Sequence, residues 1–177
     1  PLFQFQSSKI AKKGGGFVGT PKCKNMMYVQ KIDHLPTGDL KALQDIIEQK
    51  VKPQKYAMIL HDKETDAQGQ PSTPDVHVMM TFSSSRYLSA IAKLLGDKPQ
   101  YIKVWSRNED NGYAYLTHRT KQAQIQGKYQ YDPSEVTANF DYPTYLAKVQ
   151  TKAAEAAKQK DLTAKNLLDA MYAGILT

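Results

Sequence analysis

The chain has 177 residues and carries 24 lysines and arginines against 17 aspartates and glutamates, a formal net charge of +7. This length supports one buried core with an appendage and excludes two full-sized domains. The positive charge favours a polyanionic partner, because a basic surface that neutralises phosphates releases condensed counterions. The single cysteine, Cys23, excludes an internal disulfide framework and a cysteine-rich zinc site, which fits a reducing cytoplasm. No apolar run approaches the roughly 20 residues that span a bilayer, so no membrane partner is expected.

Three parts of the chain differ in composition. Residues 1–22 contain three consecutive glycines and a basic cluster, which predicts a basic, glycine-rich tail. Residues 23–141 hold the periodic segments of the main domain. Residues 142–177 are rich in alanine and lysine and predict a helical extension in two pieces, the second capped by Asp161. This extension suggests a role in assembly or a link to a domain missing from a truncated sequence, because the chain ends inside an apolar stripe of Leu167, Leu168, Met171 and Ile175.

The first part of the main domain predicts a strand, a helix and a second strand. Residues 26–32 are apolar and extended in pattern, and the following stripe of leucines and isoleucines at helical spacing predicts a helix with Thr37 as its cap. Residues 55–61 predict the second strand. Residues 65–74 contain several turn-forming residues and predict the connection to the next strand.

The third predicted strand has apolar residues at every second position, and the other face carries Asp75, His77, Met79 and Thr81. Val76 and Val78 lie on one face, and Asp75 and His77 lie on the other, because successive side chains of a strand point to opposite faces. The carboxylate and the imidazole are therefore expected side by side, away from the core that Val76 and Val78 enter.

A second helix and a fourth strand complete the repeat of elements. Residues 87–95 carry apolar side chains at helical spacing, and residues 101–105 predict a short strand. The order strand, helix, strand, strand, helix, strand is the split pattern of the ferredoxin-like fold. We therefore expect an α+β domain: an antiparallel sheet with helices on one face and the other face open for a ligand. A further helix is predicted over residues 108–118, and residues 127–140 are expected to be extended or irregular.

Four potential metal ligands lie at the ends of two neighbouring predicted strands. His61 and Glu64 follow the second strand, and Asp75 and His77 begin the third. If these strands form a hairpin, two imidazoles and two carboxylates converge on one point. Such a set suits Mn²⁺, Mg²⁺ or Zn²⁺, and its carboxylates favour the harder ions. The alternative is that these are ordinary surface residues, since strand ends are commonly charged.

A tyrosine of the helix over residues 108–118 is a candidate nucleophile. Tyr113 and Tyr115 point to nearly opposite sides of this helix, at about 100° per residue, so only one can face a metal on the sheet. A phenol has an ordinary pKa of about 10 and needs a nearby cation to favour the phenolate. The alternative is that both tyrosines pack in the core.

Three short motifs together resemble a known family. The segments I-L-H-D-K-E (59–64), P-D-V-H-V-M-M (74–80) and Y-A-Y-L-T-H (113–118) are similar to those of HUH-type replication initiators from small rolling-circle plasmids of Gram-positive bacteria, of the streptococcal-plasmid type. Residues 131–145 resemble the end of the nuclease domain in that family. The resemblance therefore covers residues 24–145.

The resemblance implies an endonuclease and a role for each motif residue. Tyr115 matches the nicking tyrosine, and His61, Glu64, Asp75 and His77 match the ligands of a divalent cation, Mn²⁺ or Mg²⁺. Two positions depart from the family pattern. Glu64 stands where aspartate is usual, and Asp75 stands where the first histidine of the HUH motif is expected. The second departure leaves open an enzyme whose nicking is weakened or absent.

The implied reaction is a metal-dependent, topoisomerase-like transesterification that nicks the plasmid origin and transfers the strand through a 5′-phosphotyrosyl intermediate. The implied partners are the single-stranded nick site and its flanking duplex. The implied location is the bacterial cytoplasm, and a homo-oligomer is a further expectation. Phosphate contacts are predicted for His118 and Arg119, one turn beyond Tyr115 on roughly its side of the helix; the alternative is an exposed helix end that is basic only for dipole reasons. Contacts with single-stranded bases are predicted for Tyr101, Lys103 and Trp105 on one face of the fourth strand, and the alternative is that Trp105 fills the core.

Two alternatives to the plasmid initiator stay open on the sequence. One is a conjugative relaxase or viral initiator with the same chemistry. The other is a nicking-deficient nucleic-acid-binding module on the same scaffold.

Overall fold

The computed structural model describes residues 21–66, 68–105 and 108–172. Most of the predicted tail and Ile175, the last residue of the apolar stripe, lie outside these ranges. The strands are β1 (Lys22–Lys31), β2 (Lys55–His61), β3 (Asp75–Tyr87), β4 (Ile102–Val104) and β5 (Thr137–Ala138). The helices are α1 (Leu40–Ile46, extended by a wider turn over Ile47–Val51), α2 (Leu88–Leu95), α3 (Glu109–Leu116), α4 (Lys121–Ile125) and α5 (Tyr142–Tyr172). Within the described ranges, no helix is long and apolar enough to cross a membrane.

The strands form one antiparallel sheet in the order β4-β1-β3-β2-β5. The first four strands and the helices α1 and α2 follow the ferredoxin-like split pattern, so the predicted fold class is confirmed. The fifth strand was not predicted. Its two residues pair with β2, with Ala138 opposite Ala57, and a segment this short carries no readable alternation.

The first core cluster lies between the sheet and the helices α1 and α2, which both pack on the same face as predicted. Val76, Val78 and Met80 of β3 are fully buried in it, against Leu43 of α1 and Ile91 of α2. Full burial of each such side chain stabilises the fold by about 1.5–3 kcal/mol.

The start of α1 differs from the prediction. Asp39, and not Thr37, caps the helix: its carboxylate accepts a hydrogen bond of 2.7 Å from the amide of Ala42. Gly38 has a φ of 82°, and this left-handed turn brings Asp39 to the capping position.

The opposite face of the sheet was predicted to be open for a ligand, and part of it is covered instead. A second core cluster covers part of it, where α3 and the first turns of α5 pack on β1, β2 and β3. Its buried members are Met27, Ala57, Ile59, Met79, Tyr113, Ala114, Leu116, Tyr131, Tyr142 and Leu146. The hydroxyl of Tyr113 donates a hydrogen bond to the backbone oxygen of Lys55 (3.0 Å), which fixes α3 to β2.

The C-terminal helix α5 is continuous over its 31 residues, so the predicted break at Asp161 is wrong. The stretch around Asp161 contains no glycine or proline and is rich in strong helix formers, so the helix propagates through it. Tyr142 and Leu146 are buried in the second core cluster, whereas Leu162 is 52% exposed. The division into a nuclease domain and an extension stays a prediction.

Two leucines of α5 provide a matched test of this arrangement. Leu146→Ala should lower the free energy of unfolding by about 2–5 kcal/mol, because it opens a cavity in the second core cluster. Leu162→Ala on the exposed part of the same helix should change it by less than about 0.5 kcal/mol. Urea unfolding measures both values, and equal losses would contradict the packing of α5 described above.

Candidate metal centre

The pairing of β2 with β3 brings the predicted ligands together. His61 stands directly opposite Asp75, and Ile59 stands opposite His77, so the two imidazoles lie on the same face of the predicted hairpin. The centroids of these two rings are 4.3 Å apart. Glu64 follows β2 and turns back toward the same point, where its carboxylate lies 3.9 Å from His61 Nδ1.

The ligand atoms form two overlapping groups that share His61. In each group the candidate ligand atoms all lie within 4.8 Å of one another. One group is His61, Asp75 and His77, and the other is His61, Glu64 and His118. The structure therefore brings together all four ligands expected from the sequence and adds His118.

The orientation of His61 leaves a nitrogen available for a cation. Its Nε2 lies 2.7 Å from the backbone oxygen of Leu116, which only accepts hydrogen bonds, so Nε2 carries the hydrogen and Nδ1 keeps its lone pair. Nδ1 lies 3.9 Å from the carboxylates of both Glu64 and Asp75. Burial, together with the neighbouring His77, lowers the pKa of His61 to about 3. The ring is thus held neutral, as a metal ligand must be.

Asp75 is ionised and lies between two groups that favour its charge. One carboxylate oxygen is 3.2 Å from His77 Nε2, and the other is 3.2 Å from the ammonium group of Lys31. Burial acts to raise the pKa of Asp75, but the contacts with His77 and Lys31 outweigh it and hold the pKa at about 2. His77 Nδ1 is buried without a hydrogen-bond partner in the described part of the chain.

His118 is not at an exposed helix end, so the predicted position of this residue is wrong. The helix α3 ends at Leu116, and His118 adopts a φ of 57°, which turns the chain back and carries the ring into the cluster. The side chain is fully buried. Local sequence did not predict this turn, because non-glycine residues seldom adopt the left-handed conformation. Arg119 is half-buried, and its guanidinium donates a hydrogen bond of 3.4 Å to the backbone oxygen of Tyr131.

Tyr115 faces the cluster, and Tyr113 points away from it into the second core cluster, as the helical spacing predicted. The ring of Tyr115 is 5.9 Å from that of His77 and 5.5 Å from that of His118, measured between centroids. Burial raises the pKa of the Tyr115 phenol, and the ammonium group of Lys128 opposes this shift.

Two residues of the segment after α4 complete the wall of the site and were missed in the sequence. Lys128 Nζ lies 3.2 Å from Glu64 Oε1 and 5.8 Å from the centroid of the Tyr115 ring. The ring of Tyr131 stacks on His61 at 4.7 Å and 18°. The segment shows no periodicity, and only the likeness of residues 131–145 to a nuclease domain marked it as part of the site.

The three predicted contacts near β4 do not share one face. Trp105 packs against the second core cluster with its ring 6.1 Å from that of Tyr115, and strand alternation places Lys103 on the same side. Tyr101 instead lies in the 3₁₀ turn Pro99–Tyr101 and packs against the first core cluster. This turn interrupts the two-residue alternation on which the prediction rested.

The donor set fits a divalent cation. Lone pairs of imidazole nitrogens and carboxylate oxygens face one another at the centre of the cluster, and a cation relieves this repulsion. Oxygen and imidazole ligands of this mixture suit Mn²⁺, with Mg²⁺ and Zn²⁺ also within range. Fold and cluster together define a ferredoxin-like domain with a candidate metal centre beside a half-buried tyrosine.

The family model described as the origin-binding domain of plasmid replication proteins matches residues 20–143. This match covers more than half of the chain, so the chain belongs to that family. No curated protein matches the sequence. Membership of the family identifies a plasmid replication initiator domain whose partner is the DNA of the origin.

The neutral state of His61 has a measurable consequence for stability in the presence of a chelator. Because its folded-state pKa of about 3 lies below the ordinary value of about 6.5, the unfolded chain binds more protons between these two values. The free energy of unfolding should therefore fall as the pH is lowered from 6 to 4, by on the order of 1 kcal/mol per unit from this group.

The variant His61→Gln isolates this contribution. Its amide keeps a donor for the Leu116 oxygen but does not titrate, so urea unfolding at pH 6, 5 and 4 should show a shallower slope. His34→Gln, at an exposed histidine outside the cluster, should keep the parent slope. Equal slopes for all three proteins would contradict the neutral assignment of His61.

Proposed function

We propose that this chain nicks single-stranded DNA at a plasmid origin by HUH endonuclease chemistry, as an initiator of rolling-circle replication of the streptococcal-plasmid type in a bacterial cytoplasm. The observation that carries the proposal is the position of Tyr115 at the edge of the ligand cluster, with its ring 5.9 Å from that of His77. A phenol beside a cation site is the arrangement that a tyrosine nucleophile requires. Family membership supports the same reading, because an initiator must open the origin that it binds.

The proposed step is a transesterification that conserves the number of phosphodiester bonds. The Tyr115 oxygen attacks the phosphorus of the scissile phosphodiester and forms a new phosphorus–oxygen bond. The bond between phosphorus and the 3′ oxygen breaks, and the proton lost by the phenol is balanced by the proton that this oxygen gains. The products are a 5′-phosphotyrosyl link and a free 3′-hydroxyl group that primes synthesis. The reverse step explains strand transfer without a further reactant.

The ligands proposed from the sequence are His61, Glu64, Asp75 and His77, and the proposed cation is Mn²⁺ or Mg²⁺. When bound there, the cation supplies Lewis-acid polarisation of the scissile phosphoryl group. His61 offers Nδ1 because its Nε2 is committed to the Leu116 oxygen. Asp75 offers a carboxylate already ionised at neutral pH.

Two neighbours of Tyr115 support the proposed reaction: Lys128 is suited to stabilise the phenolate, and Trp105 is suited to contact the DNA. The ammonium group of Lys128 lies close to the phenol ring and stabilises negative charge on its oxygen. Trp105 lies beside the Tyr115 ring with Lys103 on the same face, which suits a stacked base and a backbone phosphate next to the scissile bond. Arg119 is a weaker candidate for phosphate contact, since its guanidinium is engaged with Tyr131.

A second candidate function is a binding module that recognises the origin without nicking it. Asp75 favours this alternative, because it replaces an imidazole ligand expected by resemblance. A relaxase or viral initiator would share the proposed chemistry and differ only in the DNA it serves.

Removal of one hydroxyl group tests the nucleophile. With single-stranded origin DNA and Mn²⁺, the parent chain should form a covalent protein–DNA adduct that denaturing electrophoresis resolves, and Tyr115→Phe should form none. Tyr113→Phe is the matched control on the same helix and should retain the adduct. Equal cleavage by Tyr115→Phe would remove Tyr115 from its role, and cleavage by neither the parent nor the control would favour the binding module.

The departure at Asp75 predicts a change of metal preference. Asp75→His replaces a hard oxygen ligand by an imidazole, so nicking should depend less on Mg²⁺ and relatively more on Mn²⁺ or Co²⁺. Asp33→His, at an exposed aspartate, is the control and should keep the parent ratio of activities. The ratio of nicking rates in Mg²⁺ and Mn²⁺ measures the effect, and an unchanged ratio in Asp75→His would exclude Asp75 as a ligand.

A further inference from the structure

His118 has a fixed tautomer. Its Nδ1 lies 2.7 Å from the backbone oxygen of Tyr129, an acceptor, so Nδ1 carries the hydrogen. In a neutral ring the other nitrogen, Nε2, then holds a lone pair. This atom is fully buried and has no hydrogen-bond partner in the described part of the chain. It is an acceptor that the protein itself does not satisfy.

The lone pair of Nε2 points toward another acceptor. Glu64 Oε1 lies 3.1 Å away, and it carries negative charge. Two acceptors at hydrogen-bond distance repel each other unless a proton or a metal cation lies between them. The same carboxylate lies 3.9 Å from His61 Nδ1, which also holds a lone pair. Three lone-pair donors therefore converge on one point.

Protonation of His118 is the other way to relieve this repulsion, and its surroundings oppose it. The ring is fully buried, so a positive charge on it would lose its contact with water. Lys128 already places its ammonium group 3.2 Å from the same Glu64 oxygen, so a second cation on His118 would face the first. A cation bound here would contact Glu64, His61 and His118 at once, which a proton cannot do.

We propose that His118 is itself a ligand of the divalent cation, through Nε2, and supplies the third imidazole of the site. The inference rests on the metal centre of the proposed function and extends its ligand set. It also explains how the site tolerates Asp75: an imidazole absent from β3 is provided by the turn after α3. Because Tyr115 near the end of α3 and His118 in the turn after it lie three residues apart, one short segment carries a ligand and the proposed nucleophile.

Mn²⁺ binding to the full chain, measured by calorimetry, tests the ligand. His118→Asn keeps a short amide that can donate to the Tyr129 oxygen but has no atom in the place of Nε2. Loss of residues that only orient ligands weakens metal binding by about 10- to 100-fold, so loss of a ligand should weaken it by at least about 10-fold. His34→Asn is the matched control and should bind Mn²⁺ as the parent does.

Thermal unfolding separates a ligand from a purely structural residue. Mn²⁺ should raise the melting temperature of the parent and of His34→Asn, and raise that of His118→Asn much less. If His118→Asn lowers the melting temperature in chelator but keeps the full Mn²⁺-induced increase and the parent affinity, the ligand role is overturned. An increased affinity would also overturn it, since this would indicate an ion pair of His118 with Glu64.

The number of imidazole nitrogens bound to the cation can be measured by spectroscopy without a variant at position 118. With Mn²⁺ bound to the parent chain labelled with ¹⁵N-histidine, electron–nuclear double resonance should detect coupled nitrogens from three imidazoles. Two would overturn the proposal, as would a parent chain that does not bind Mn²⁺.

The same measurements distinguish this inference from the proposed nicking. Tyr115→Phe should bind Mn²⁺ like the parent. If Mn²⁺ binding depends on His118 but the parent forms no adduct with DNA, the nicking proposal fails and the ligand assignment stands. If the adduct forms in Mn²⁺ while His118→Asn keeps the parent affinity, only the ligand assignment fails.

Discussion

The antiparallel register of β2 and β3 is the constraint on which the site depends. It sets His61 opposite Asp75 and Ile59 opposite His77, so both imidazoles emerge on the same face. A slip of one residue would turn these side chains toward the first core cluster and the apolar residues toward the ligands. Both faces of β3 are packed, against α1 and α2 on one side and α3 on the other, so such a slip is strongly disfavoured.

The position of Tyr115 depends in turn on how closely α3 approaches the sheet. At Gly112 a Cβ would lie 2.6 Å from the terminal methyl carbon of Met79, so any larger residue would have to displace the end of this buried side chain. One residue later, the hydroxyl of Tyr113 bonds to the backbone of β2. Tyr142 of α5 donates a hydrogen bond of 2.8 Å to the backbone oxygen of Tyr113, which ties the last helix to the same point. The core residues of α3 thus orient the tyrosine that faces the cluster.

The cluster itself is a buried polar group with unfilled hydrogen-bonding capacity. His77 Nδ1 and His118 Nε2 both lack partners in the described part of the chain, although such atoms usually cost stability when left unpaired. Lys31 forms an ion pair with Asp75, and Lys128 forms one with Glu64. Burial keeps the imidazole of His61, between these two carboxylates, uncharged. The cluster therefore has lone pairs of nitrogen and oxygen at its centre, where a cation would bind, and the positive charges of Lys31 and Lys128 at its edge.

The sequence by itself predicted what depends on local periodicity. The strand alternation placed Asp75 and His77 on one face, the hairpin brought His61 to them, and helical spacing separated Tyr113 from Tyr115. Tertiary structure alone decided the rest, because it depends on contacts between segments distant in sequence. His118 was expected at an exposed helix end, and a single left-handed turn buried it among the ligands. Lys128 and Tyr131 reach the site from a segment without periodicity, so the sequence does not predict their contacts with Glu64 and His61.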